Sequence, residues 1–152
     1  MTLDLGFSYV IQKDQNMLSQ GQYFNPIVPL YLFPRGEDFT PYRMYERYDE
    51  GRQLMTQHWP YGEMGMAMQN PYWIINRNMF NNDRDRYMAN AGLKYKVFDW
   101  MDISGRVRID NANTRHTKKL YASTDAKFAQ SKGYYGDRKD VDKQLYADFL
   151  VN

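Results

Sequence analysis

Four stretches of the chain alternate apolar and polar residues with a period of two. From Tyr87 the odd positions are Tyr87, Ala89, Ala91, Leu93, Tyr95 and Val97, and the even positions are Met88, Asn90, Gly92, Lys94 and Lys96. After Phe98-Asp99-Trp100 the pattern resumes, with Met101, Ile103, Gly105, Val107 and Ile109 on one side and Asp102, Ser104, Arg106, Arg108 and Asp110 on the other. A period of two with one apolar side predicts a β-strand, and two such runs around a short connection predict an antiparallel hairpin. Leu3, Leu5, Phe7, Tyr9 and Ile11 give a further strand near the start, and Leu145, Ala147, Phe149 and Val151 another near the end. The expected strands are about 2–11, 86–97, 101–110 and 143–152. The two hairpin runs are each about ten residues long, the length a tilted strand needs to cross membrane hydrocarbon.

The connections predict the layout. Residues of about 12–85 hold all 6 prolines, Pro26, Pro29, Pro34, Pro41, Pro60 and Pro71, so that segment is expected to be mainly irregular. A short helix is expected over Pro41 to Gln57, with Thr40 as cap and Pro41 in the first turn. A second long connection covers about 111–142. Long, short and long connections put both long ones on one side of the sheet and the short turn on the other. That is the layout of an outer-membrane barrel, whose extracellular loops are long and periplasmic turns short. Tyr9 and Tyr87 fall toward the long-loop ends, and Tyr95, Phe98 and Trp100 toward the short turn, as two interfacial girdles require. The expected fold is therefore all-β: an antiparallel transmembrane β-barrel segment of about four strands with two long extracellular loops, covering 1–152 as a partial barrel domain. The alternative is a soluble β-sandwich binding carbohydrate through loop aromatics. The two differ in one respect: Leu93, Val97, Ile103 and Val107 face lipid in a barrel but a second sheet in a sandwich.

Composition narrows the partners. Aromatic residues make up 16% of the chain, which favours pleated, half-buried surfaces. The net charge of +2 comes from interspersed charges, which excludes the clustered basic face that nucleic acid requires. The absence of cysteine excludes disulfides and thiolate metal sites. No apolar run is long enough for a transmembrane helix. The start lacks the basic and apolar regions of a signal peptide, and the last alternating run is still in progress at Asn152. The first feature leaves two expectations, a cytoplasmic chain or a fragment whose true start lies upstream, and the second favours the fragment.

Candidate chemistry is sparse. His58 and His116 lie far apart, and a zinc site needs several ligands together. Asn82-Asp83-Arg84-Asp85 lacks the glycine and terminal glutamate of a calcium loop. Glu46 and Glu50 would share one exposed helix face without any feature that raises a pKa. No phosphate loop or nucleophile motif occurs. No catalytic residue, cofactor or metal is expected. Trp59, Tyr61, Tyr72 and Trp73 are candidates for ligand or partner contact, since aromatic faces stack on sugars or anchor interfaces, although packing within the long loop would use them equally well. Arg86, Lys94, Lys96, Arg106 and Arg108 are expected to face a barrel lumen, where they would meet acidic groups of a plug or, as solvated lumen residues, pair across strands with Asp102 and Asp110.

The stretch from Asn81 through Arg84-Asp85-Arg86-Tyr87 to Lys96 resembles the barrel of SusC/RagA-family TonB-linked outer-membrane proteins. Asp99-Trp100-Met101-Asp102-Ile103-Ser104-Gly105-Arg106-Val107 is similar to that family's turn and following strand. Asn70-Pro71-Tyr72-Trp73, and the run from Lys118 through Tyr121-Ala122-Ser123 to Gly133-Tyr134-Tyr135, resemble other family motifs. The resemblance is strongest from Asn70 to Asn152. It implies a receptor in the outer membrane of Gram-negative, Bacteroidetes-type bacteria that imports glycans or peptides. It further implies outer-membrane lipid around the barrel, a SusD-like surface lipoprotein as partner, and energy from the TonB–ExbB–ExbD system. The family's signal peptide, TonB box and plug are not seen in these residues, and its barrel has about twenty-two strands.

Overall fold

The computed structural model describes residues 1–17, 21–63 and 69–152. The fold is all-β: strands hold 58% of the described residues and helices 12%, the sheets are antiparallel, and among these residues no barrel is closed. In chain order the elements are β1 (Thr2–Gln15), α1 (Ile27–Leu32), a 3₁₀ turn (Thr40–Arg43), β2 (Glu46–Asp49), β3 (Leu54–Gln57), α2 (Pro71–Arg77), β4 (Asn78–Phe98), β5 (Met101–Leu120) and β6 (Tyr134–Val151). One sheet has the order β1-β4-β5-β6, and β2 pairs with β3 in a second. All four expected strands are present and adjacent in the expected order.

Their lengths correct the sequence expectation. β4 starts at Asn78 and not near 86, β5 runs on to Leu120 instead of stopping near 110, and β6 starts at Tyr134 and not near 143. The added segments, such as Asn111–Leu120, have no apolar side. A backbone ladder satisfies its own N–H and C=O groups whatever the side chains are. Periodicity detects burial on one side, so it misses strand extensions that are polar on both. Tyr87 accordingly lies well inside β4 and not at its end.

The segment 12–85 is more ordered than its prolines suggest. The helix expected over Pro41 to Gln57 is a single 3₁₀ turn capped at Phe39, followed by the β2–β3 hairpin. Glu46 pairs with Gln57 and Asp49 with Leu54. The hairpin wins because Asp49 Oδ1 accepts the Arg52 N–H at 3.0 Å and Gln53 takes a positive φ of 52°, which closes a tight turn over Glu50-Gly51. α2 begins where Asn70 Oδ1 accepts the Tyr72 N–H at 2.8 Å, with Pro71 in the first turn, where its missing N–H costs nothing. α1 ends at Phe33, which precedes Pro34 and is extended, as steric conflict with the proline ring demands.

Contacts divide the chain into two compact units. The sheet unit comprises Met1–Lys13, Asn82–Arg115 and Arg138–Asn152. Its buried residues are Asn111 and Ala112, and its apolar side is open. Phe7 is 74% exposed, Leu93 44%, Val107 45% and Phe149 67%, while Val97 and Ile103 are half-buried. The loop unit comprises Asp14–Asn81 and His116–Asp137. It has the core: Trp59, Trp73, Ile74, Leu120 and Ala129 are buried, together with Gln57, Gln69, Asn70, Asn78, Ser123, Thr124 and Asp125.

Candidate functional site

In the sheet unit, alternation along each strand sends even-numbered side chains to one side. That side holds a trough of about 1220 Å³, lined among others by Asp4, Ser8, Arg86, Asn90, Lys94, Ser104, Arg106, Arg108, Asp110, Gln144 and Tyr146. A smaller depression has Leu5, Phe7, Ala89, Ala91, Val107 and Ile109 in its lining.

Ion pairs tie the strands across the polar side. Arg86 Nε donates to Asp110 Oδ1 at 2.9 Å, and Lys94 Nζ lies 3.0 Å from Asp102 Oδ2. Arg106 grips Asp148 with both ends of its fork, Nε to Oδ1 at 3.0 Å and Nη2 to Oδ2 at 2.7 Å, and the Tyr146 hydroxyl donates to the same carboxylate at 2.8 Å. Water-exposed pairs of this kind contribute about 0–1 kcal/mol each. Their main effect is on register, because a one-residue slip would carry every one of these side chains to the other side.

Of the five residues expected to face a lumen, Arg86, Lys94, Arg106 and Arg108 line the trough. Lys96 instead pairs with Asp99 at 2.7 Å beside the short turn. Pairing with Asp102 and Asp110 was legible in the sequence. The Arg106–Asp148 fork was not, because it joins positions 42 apart that no hairpin pattern links.

In the loop unit the four candidate aromatics have unequal access. Trp73 has no exposed surface and Trp59 is 6% exposed, so both indoles pack inside this unit. Tyr61 lies at the surface and Tyr72 is half-buried. The Trp59 ring meets Phe33, Phe39, Tyr42 and Tyr61 at centroid distances of 5.5, 6.0, 5.3 and 6.0 Å. Around Trp73 the core is a polar network. Trp73 Nε1 donates to Thr124 Oγ1 at 3.1 Å, which donates to Asn78 Oδ1 at 2.8 Å, while Asn78 Nδ2 donates to Gln69 Oε1 at 3.3 Å. Gln57 donates twice to Ser123, from its N–H to Oγ at 2.9 Å and from its Nε2 to the carbonyl oxygen at 2.6 Å. Asn70 Nδ2 donates to the carbonyls of Tyr42 and His58 at 2.8 and 2.9 Å. These bonds satisfy buried amides and hold distant stretches of the chain in one arrangement.

A second aromatic cluster surrounds Lys118. Its ammonium lies 5.3, 5.5, 5.8 and 5.5 Å from the ring centroids of Phe24, Phe80, Phe128 and Tyr134. Such distances place the charge against the negative faces of the rings. The four rings come from separate parts of the sequence, so no local pattern announces the cage.

The remaining candidates have structural surroundings. Glu46 sits on β2 and receives Arg77 Nε and Nη2 at 2.8 and 2.9 Å, and this hydrogen bonding raises the Arg77 pKa. Glu50 occupies the hairpin turn, so the two glutamates share no helix face. His58 Nδ1 lies 3.0 Å from the Met44 carbonyl oxygen, and His116 lies on β5. Asn82 to Asp85 are part of β4. Among the described residues no group of three or more His, Cys, Asp or Glu side chains could hold a metal ion. The trough offers charge and hydrogen-bond donors, and neither histidine nor cysteine lines it.

The chain has no match among protein-family models, curated proteins or solved structures.

Proposed function

We propose that the chain forms part of the wall of an outer-membrane β-barrel, and that this barrel belongs to a TonB-dependent transporter resembling the SusC/RagA family. The observation that carries the reading is the two-sidedness of the sheet unit. Leu5, Phe7, Leu93, Val107, Leu145 and Phe149 stand uncovered on one side, while charged and hydroxyl side chains line a trough on the other. Exposed apolar area on this scale marks a surface built for lipid or for a partner. A trough on the polar side fits a wall with water inside and hydrocarbon outside. In the alternative, a soluble carbohydrate-binding sandwich, Leu93 and Val107 would lie against a second sheet.

On this reading the loop unit is the extracellular elaboration of a transporter that imports glycans or peptides with a SusD-like surface lipoprotein. Tyr61 and Tyr72 are then the candidate aromatics with surface to offer a ligand or partner. Energy would come from the TonB–ExbB–ExbD system through parts of the protein other than these residues. Among the described residues no helix is long and apolar enough to cross a membrane, which leaves crossing by strands open. The test is fractionation of the bacterium that makes the protein, with an antibody against the loop unit. Recovery in the outer membrane after a high-salt wash, with the loop epitope cleaved by protease added to intact cells, is the expected result. Recovery in a soluble fraction would refute the reading.

A further inference from the structure

The charges on the polar side of the sheet are not evenly matched. Toward the short turn, Lys94 has Asp102 and Arg106 has Asp148. Toward the long connections, three guanidiniums, Arg86, Arg108 and Arg84, act electrostatically on one carboxylate, Asp110. Arg86 takes both oxygens of Asp110. Arg108 rests its Nη2 3.8 Å from the thioether sulfur of Met88, and neither it nor Arg84 has a carboxylate within ion-pair distance among the described residues. The nearest acidic neighbours on β4, Asp83 and Asp85, alternate to the other side, where the Tyr9 hydroxyl is 3.4 Å from Asp85. Arg86 and Arg108 line the trough, and Arg84 continues the same side beside Arg86, Gln12 and Met88.

We propose that Arg84 and Arg108, flanking the Arg86–Asp110 pair, form an anion-binding subsite on the wall of the trough that takes a carboxylate carried by a solute. Guanidinium forks match carboxylates in two-point geometry, as the Arg86–Asp110 pair itself displays. The strands fix the backbone positions of the two arginines on either side of that pair, on the same side of the sheet. The inference stands on the polar side alone and is independent of what covers the apolar side. The carboxylate could belong to an acidic sugar or to an acidic peptide, and the probes separate these sources.

The test is calorimetric titration of the whole protein in nonionic detergent. One arm compares trigalacturonate with its methyl ester, and the other compares tetraglutamate with tetraglutamine. The charged member of at least one pair should bind, its uncharged counterpart should not, and added salt should weaken binding. R84Q/R108Q should weaken binding by about tenfold or more, since a hydrogen bond to a charged group is worth about 1.5–3 kcal/mol. K96Q, which removes one positive charge beside the short turn, should bind like the wild type. R84K/R108K, which keeps the charge and the long side chain, should recover part of the affinity if the glutamine variant is misfolded. Equal binding of charged and uncharged probes, no binding of either charged probe, or equal losses in K96Q and R84Q/R108Q would overturn the proposal.

Discussion

Trp73 and Thr124 are 51 residues apart in sequence, yet the indole N–H of the first donates to the hydroxyl of the second at 3.1 Å inside the loop unit. Thr124 passes its own proton to Asn78 Oδ1 at 2.8 Å, so one hydroxyl satisfies a buried donor and a buried acceptor. Thr124→Val keeps the shape and removes both bonds. It should destabilise the loop unit by about 1–3 kcal/mol, the cost of leaving buried polar groups unpaired. Hydrogen exchange at the amides of α2 measures this, and unchanged protection would contradict the network's role.

Gly133 has a positive φ of 90°, and a Cβ there would come within 3.0 Å of the Ala122 backbone nitrogen. Backbone cannot yield as a flexible side chain can. Gly133→Ala should therefore cost about 1–3 kcal/mol through conformational strain and collision. Gly36→Ala, with open space around it, is the control and should be close to neutral. Thermal unfolding of the two variants separates a local strain effect from a general effect of removing glycine.

The Lys118 ammonium packs against four rings. Lys118→Met retains an unbranched stem of similar length and removes the charge, so it isolates the cation–π contribution, on the order of 1 kcal/mol for a half-buried group. Proteolysis between Tyr121 and Gly133 should accelerate in the variant. An unchanged rate would mean that the stem alone holds the cluster together.

Asp38 predicts a pH effect of known sign. Its pKa is lowered, chiefly by hydrogen bonding from the Thr40 side chain and then from the Thr40 N–H, whose nitrogen lies 2.8 Å from Oδ1. A depressed carboxylate pKa stabilises the folded loop above the unfolded value of about 3.9, and this stabilisation disappears as pH falls through the folded pKa. The Thr40 amide resonance should titrate below the ordinary carboxylate range, and Thr40→Ala should move the midpoint upward. A midpoint at the ordinary value in the wild type would contradict the bond.

The parts of the fold visible in the sequence are those where one side of a strand is apolar. Tyr87 to Val97 and Met101 to Ile109 announced both their strands and their pairing, because alternation and a short turn are local signals. Asn111–Leu120 and Asn78–Asp85 were invisible as strand because neither segment has a consistently apolar side. The stretch from Pro41 to Gln57 reads as helical from its Thr-Pro start, but from Glu46 on the Asp49–Arg52 turn bond takes precedence over helix geometry. At the trough, Arg86 and Lys94 could be paired with Asp110 and Asp102 from the hairpin alone. Asp148 could not be assigned to Arg106, because β5 and β6 are joined by a long connection that fixes no register. The loop core was least legible, since Gln57, Asn70, Asn78 and Thr124 are polar residues buried by their hydrogen bonds, and hydropathy counts them as surface.

In the proposed barrel wall, odd-numbered residues of β5 face hydrocarbon while even-numbered ones face water. The chain contains no cysteine, so single cysteines carrying a nitroxide can replace Ile103, Val107 and Ile109 on one side and Ser104, Arg106 and Arg108 on the other. Spin-label accessibility in reconstituted membranes measures collisions with oxygen, which concentrates in lipid, and with a water-soluble nickel complex. The odd positions should collide with oxygen and the even positions with nickel, alternating residue by residue. Odd positions shielded from both reagents, as side chains packed against a second sheet would be, would rule out a lipid-facing side.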